Sequence, residues 1–169
     1  EEAARLLKQR QQTAFQFVFM GSDPKYLKPE QGIDSYFRCL PRVSRQEALN
    51  QMVSADLLLF LPFYGASGLL KGVPASKLYD YIYSRRPVLV CPTDGDVAEQ
   101  KLNDSGQGIF CETGLQLADQ IEQFINQKQQ QQQIPDIDIP ENVYLDNSRA
   151  AQTQHLCELL THHIKHRTS

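Results

Sequence analysis

The chain has 169 residues, with 17 Lys and Arg against 20 Asp and Glu, and 41% hydrophobic residues. That is enough apolar content for one core without a disulfide or metal staple. A formal charge of −3 creates no field that attracts phosphate backbones, so general nucleic-acid binding is disfavoured.

The opening Glu1-Glu2-Ala3-Ala4 carries neither an initiator Met nor a basic-then-apolar signal region, which suggests a chain cut inside a helix and so a fragment of something longer. Leu6 and Leu7 sit in this charged helical opening. Phe15 to Met20 then reads as a strand ended by Gly21, and a polar loop follows with Asp23-Pro24 and Lys28-Pro29. Tyr36 to Leu40 is a short strand. Ser44 begins a helix with Glu47 at capping-box spacing and Ala48, Leu49, Met52 and Val53 along one side.

Leu57 to Leu61 is a continuous apolar run stopped by Pro62, the pattern of a strand covered on both faces. It is also the longest uncharged apolar run and far short of the roughly 20 residues that span a bilayer. Gly65 to Gly72 reads as a flexible loop. A helix is predicted from Pro74 to about Arg85, with Pro74 in the first turn, where no N–H bond is lost. Pro87 to Cys91 is a strand, Val97 to Asn103 a short helix and Gly108 to Cys111 a strand. A helix with Leu115, Leu117, Ile121, Phe124 and Ile125 then runs into the glutamines 129–133.

Strands alternate with helices, so the expected fold class is α/β: a Rossmann-like three-layer α/β/α domain with an open parallel sheet. Residues 1–134 are expected to form it. Residues 135–169 would be an extended linker with Pro135 and Pro140, then an amphipathic helix from about Ser148 to His166 exposing Leu156, Leu159, Leu160 and Ile164.

Ligands of open parallel sheets bind beyond the carboxyl ends of the strands, which makes the loop after Leu61 the first candidate. Gly65, Gly68 and Gly72 allow close backbone approach. The helix start with Ser76 and Lys77 suits an anion, and Asp80, one turn on, could accept hydrogen bonds from a sugar diol. Together these are the needs of a nucleotide. The plainer reading is a surface loop, because the stretch lacks both the dinucleotide fingerprint and the Walker spacing.

The stretch Pro74 to Leu89, containing Lys77-Leu78-Tyr79-Asp80-Tyr81 and Arg86-Pro87-Val88, resembles a signature of retaining GT-B glycosyltransferases of the large group 1 family. Val43 to Leu49, Ala55-Asp56-Leu57, Asp94 to Glu99 and Gly106-Gln107-Gly108 are similar to other motifs of that family, in the same order. The resemblance implies the C-terminal, donor-binding half of an enzyme that transfers a sugar from a nucleotide-diphosphate sugar in cell-surface polysaccharide synthesis. It further implies retention of anomeric configuration, no required metal or other cofactor, and a cytoplasmic or inner-membrane-associated setting.

By the resemblance, Asp80 holds the ribose hydroxyls, Lys77, Ser76 and the amides from Gly72 face the diphosphate, and Arg42 and Val43 frame the base. The family's first paired acid would fall at Gly72, so that contact is absent. No catalytic residue is assigned. The expected partners are the donor and a missing N-terminal acceptor domain, without which the chain is expected to be inactive. The family's first strand, central in a 3-2-1-4-5-6 order, also lies outside the chain. Its neighbours, Phe15 to Met20 and Leu57 to Leu61, must close together, pair with another chain as in a dimer, or leave edges exposed.

Two other readings stand beside this one. A sugar-nucleotide epimerase of the same fold would need its acids and bases in the absent half. A flavodoxin-like or receiver-type interaction module should place Lys after a late strand, where Pro92 stands. His162 and His166, one helical turn apart near His155 and His163, have a metal-ligand spacing but no supporting carboxylate pattern. Asp94 and Asp96 read as a turn residue and a helix cap. Cys39, Cys91, Cys111 and Cys157 show no C-x-x-C spacing and read as reduced structural thiols.

Overall fold

The uninterrupted apolar run around Val88 becomes the middle strand of a three-stranded parallel sheet. The computed structural model describes the chain except residues 22–24, 26–27, 63, 66–67, 70–74, 94 and 168–169; for 64–65, 68–69, 162 and 164–167 it describes the backbone alone. In chain order come α1 (Glu2–Gln9), β1 (Phe17–Met20), β2 (Phe37–Leu40), α2 (Arg45–Ser54), β3 (Leu58–Phe60), β4 (Tyr64–Gly65) and β5 (Gly68–Leu69). They are followed by α3 (Lys77–Ser84), β6 (Val88–Val90), α4 (Val97–Asp104), β7 (Gly108–Phe110), α5 (Gly114–Gln131), α6 (Glu141–Asp146) and α7 (Arg149–Arg167).

Period-two alternation on the sheet β3-β6-β7 sends side chains to both faces, and each face is covered. Leu58, Phe60, Val88 and Val90 pack with Leu78 and Ile82 of α3 and Ala98 and Leu102 of α4. On the opposite face Leu59, Leu89 and Ile109 meet Ala3 and Leu7 of α1 and Leu117, Ala118, Ile121 and Ile125 of α5. The result is the expected Rossmann-like α/β/α layering. Gly106, at φ 71°, supplies the left-handed turn from α4 into β7 that a side chain would strain.

The expected sheet is divided in two. β1 pairs with β2, in parallel register from Phe17 opposite Phe37 to Met20 opposite Leu40. Among the described residues no strand pairing joins β1 to β3. The two-stranded sheet is held by aromatic packing: Phe15 stacks on Tyr36 with centroids 4.7 Å apart and Phe17 on Phe37 at 5.3 Å.

Several local expectations shift. The helix after the glycine loop starts at Lys77, with Ser76 in the N-cap position, and Pro74 lies outside the described residues. Within the loop itself, Tyr64–Gly65 and Gly68–Leu69 pair as a short antiparallel ladder. Helix α2 has its predicted capping bond, Glu47 N–H to Ser44 Oγ at 3.2 Å, yet none of its residues is fully buried and Val53 is 51% exposed. α5 continues through the glutamines to Gln131, since glutamine is a good helix former, and ends in a left-handed Gln132.

The stretch after α5 is extended but tied down. Ile137 N–H donates to Arg85 O at 2.8 Å, Arg86 Nη1 donates to Ile134 O at 3.1 Å, and Ile139 and Val143 join the core beneath α3 and α4. Within the expected linker, Glu141–Asp146 forms the short helix α6. α7 leaves Leu156, Leu159 and Leu160 each more than half exposed. Among the described residues no helix is long and apolar enough to cross a membrane.

Candidate functional site

Parallel strands deliver their carboxyl ends to one edge of a sheet, and the segments leaving those ends carry the candidate residues. β3 leads through the glycine-rich loop into α3, whose first turn holds Lys77 and Asp80. β2 leads through Arg42 and Val43 into α2.

An ion pair connects the two segments. Arg45 Nη2, in the first turn of α2, lies 2.9 Å from Asp80 Oδ1. The guanidinium side is largely in solvent, at 68% exposure, while the Asp80 side chain retains 27%. A contact this open contributes at most about 1 kcal/mol, so an incoming hydroxyl or phosphate could displace or share it at little cost. Asp80 thus presents a hydrogen-bond acceptor beside a donor fork suited to oxyanions.

Lys77 folds back over the strand end, its Nζ 5.3 Å from the Phe60 ring centroid. Its residue surface is exposed overall, but burial of the ammonium among its neighbours lowers its pKa. Desolvation together with a ring face leaves a cation weakly hydrated, which favours exchange of its water for a ligand oxygen. Tyr81, a turn deeper, packs edge-on against Phe60 and donates its hydroxyl to Leu59 O at 3.3 Å; burial raises its pKa.

The predicted residues are therefore distributed unequally. Lys77 and Asp80 share one helical turn, and Arg42 and Val43, respectively exposed and half-buried, enter the same edge three and two residues before Arg45. Ser76 is exposed at the N-cap, where its hydroxyl makes no cap bond. Gly72, expected to begin the phosphate cradle, lies outside the described residues. Arg45 was missed from the sequence because its significance depends on meeting Asp80, 35 positions away. Only its place directly after the Ser44 cap could have flagged it.

A second polar contact occupies the same edge at the end of β6. The Thr93 hydroxyl donates to Glu99 Oε2 in the first turn of α4, and Glu99 is 8% exposed. The spacing from Asp96 to Glu99 repeats that from Ser44 to Glu47, a sequence signal that marks the helix start. Asp96 does occupy the N-cap, and Asp94 lies outside the described residues.

Among the described residues no group of three or more His, Cys, Asp or Glu could hold a metal ion. His155 and His163 are exposed, and the side chains of His162 and His166 fall outside the description. All four cysteines are free. Cys111 is buried and its thiol is pushed up to about 11, chiefly by desolvation; Cys91 is raised for the same reason.

Comparison of the chain with protein-family models, with curated proteins and with solved structures finds no match.

Proposed function

We propose that the chain is a donor-binding domain for a nucleotide-diphosphate sugar, the C-terminal half of a sugar-transferring enzyme that is inactive without its acceptor domain. One observation carries this reading. Asp80, Arg45 and Lys77 gather at the carboxyl end of β3, in the first turns of two helices that leave adjacent parts of the fold.

In this reading Asp80 accepts hydrogen bonds from the ribose diol, and Arg45 moves from Asp80 Oδ1 toward the ligand. Lys77 and the Ser76 hydroxyl meet the diphosphate, while the backbone around Arg42 and Val43 borders the base. The chemistry asked of these groups is positioning and charge compensation of a departing nucleoside diphosphate. The motif order between Val43 and Gly108 supports the transferase reading over an interaction module.

Titration with UDP, GDP and CMP, following backbone amide shifts, tests it directly. Shifts are expected from Gly72 to Asp80 and at Arg45, and uniform silence at millimolar ligand would count against the proposal. Asp80→Ala should weaken ribonucleotides more than their 2′-deoxy forms; equal loss for both would contradict the diol role.

A further inference from the structure

Two cysteines stand opposite each other at the carboxyl ends of neighbouring strands. The register of β6 with β7 runs from Val88 opposite Gly108 to Val90 opposite Phe110. It continues one residue further, since Cys111 N–H donates to Val90 O at 2.9 Å and Thr93 N–H donates to Cys111 O at 2.9 Å. Cys91 therefore lies across from Cys111. Alternate residues of a strand share a face. Leu89 and Cys91 of one strand and Ile109 and Cys111 of the other all pack into the cluster beneath α1 and α5, so the two thiols sit side by side on one face. Paired strands lie about 4.8 Å apart. That is within the Cα separation of about 4.4–6.8 Å that a disulfide spans.

The two thiols differ in access. Cys91 is half-buried and Cys111 fully buried, so an oxidant in solvent reaches Cys91 first. Burial raises the pKa of both, and the charge of an ionised Cys91 adds to the rise at Cys111, as expected of close neighbours. A thiol that holds its proton is slow to be oxidised at neutral pH. It is also a poor leaving group, so a disulfide between two such thiols resists reduction. Cys91 is tied to the start of α5, its thiol donating to Thr113 O at 3.7 Å, a contact that needs the S–H proton. Cys111 acts through its carbonyl, which holds the amide of Thr93, and the Thr93 hydroxyl in turn meets Glu99.

We propose that Cys91 and Cys111 are a thiol pair that hydrogen peroxide converts to an intramolecular disulfide. The Cys91 thiolate attacks the O–O bond of the peroxide, an S–O bond forms, and the hydroxide that leaves takes up the thiol proton as water. The Cys111 thiolate then attacks Cys91 Sγ, the S–S bond forms, and the sulfenic oxygen departs with the second proton as water. Two thiols and one peroxide thus give one disulfide and two waters, with two electrons passing from sulfur to oxygen. Cys91 then no longer donates to Thr113 O. The modification is felt at the N-cap of α5 and, through Cys111 O, at Thr93 on the edge that carries the candidate site. This inference does not depend on the proposed ligand.

Lys101 lies between the two cysteines, so trypsin places them on separate peptides. The reduced chain is treated with hydrogen peroxide, alkylated, digested and weighed. The expected product is a linked pair of peptides carrying Cys91 and Cys111. Its formation should quicken about tenfold for each unit of pH below 9.0, because both thiols ionise above that value. In urea the links should spread among all four cysteines. The same pairing at the same rate in urea would overturn the inference, since strand register would then play no part. So would folded protein in which Cys111 stays alkylatable, whether Cys91 is untouched or oxidised beyond the sulfenic acid, or in which Cys91 joins Cys39 or Cys157. Cys111→Ala supplies a second measurement. Its Cys91 should stop at the sulfenic acid and be trapped by dimedone, whereas the parent gives little adduct on that peptide; equal trapping in both would reject Cys111 as the resolving thiol. The amide shifts of Thr93 and Thr113 should move on oxidation and return with dithiothreitol, and their constancy would reject the coupling to the edge.

Discussion

In the three-stranded sheet, β6 has a hydrogen-bonded strand on each side and helices over both faces, and Val88, Leu89 and Val90 are at most 2% exposed. In the two-stranded sheet, each strand has one partner, the packing is a run of stacked rings, and Val18 stays half exposed. Both halves use the same local grammar of apolar strand, turn and helix. What separates them is the number of satisfied edges and covered faces, so stability should be concentrated around β6 and taper toward β1 and β2.

The strongest way to break that contrast is to cut into each half. Ile82 is fully buried beneath the three-stranded sheet, and Ile82→Ala should cost about 2–5 kcal/mol in urea unfolding, from lost transfer energy and the cavity left behind. Phe37→Ala removes a half-buried ring and should cost less, with exchange rising first in β1 and β2. Equal losses with uniform exchange would mean the two sheets open as one unit.

Gln107 gives a smaller, polar version of the test. Its side chain is 1% exposed, and Nε2 donates to Tyr81 O at 3.0 Å and Arg86 O at 2.9 Å, fastening the end of α3 to the start of β7. Gln107→Ala takes this donor from Arg86 O and leaves Tyr81 O with the Ser84 hydroxyl at 2.6 Å, and should cost about 1–3 kcal/mol. Oε1 has no hydrogen-bond partner among the described residues, and a water admitted to the truncated site could donate to the freed carbonyl and recover part of the loss. No measurable change in the urea midpoint would show that the fastening is dispensable.

These contrasts explain what could be read in advance. The run from Leu57 to Leu61 reads as a doubly covered strand, because burial on both faces removes the need for polar alternation, and Leu58 and Phe60 pack on one face while Leu59 packs on the other. The cap at Ser44 is local and forms, its hydroxyl accepting the N–H of Glu47 three residues on. Helix α6 was obscured by the prolines before it, although Pro140 stands at its N-cap. The division of the sheet could be posed only as alternatives, since strand pairing is decided by distant chain segments. Within the site, Lys77 and Asp80 were legible from their spacing along one helix. Arg45 was not, because an ion pair between two helices has no spacing to read.

Alkaline pH offers a finer probe of the well-covered half. Cys111 is raised from its ordinary 9.0 to about 11, so the folded state holds this proton more tightly than the unfolded state. Its contribution is complete below about pH 9 and is lost as pH rises through about 11. Tyr81 is also raised and Lys77 lowered, so the comparison must be a difference. Across that window the Tm of the parent should fall more steeply than that of Cys111→Ala. Parallel Tm profiles would show that the buried thiol is not linked to folding.

The smallest effect should come from Arg45→Ala, although this residue joins the segment leaving β2 to the helix leaving β3. If the two halves were held together by that ion pair, cutting it would loosen β1 and β2 and accelerate their exchange. The shared apolar floor of Phe17, Leu59, Ala3 and Leu7 argues otherwise, because its burial is far larger than anything a largely exposed guanidinium can add. Arg45→Ala should therefore change stability by no more than about 1 kcal/mol, and by less at high salt, while exchange in β1 and β2 stays as it was. A larger loss would transfer the joint from the floor to the ion pair. It would also mean that a ligand drawing Arg45 away from Asp80 must loosen the junction between the halves in order to bind.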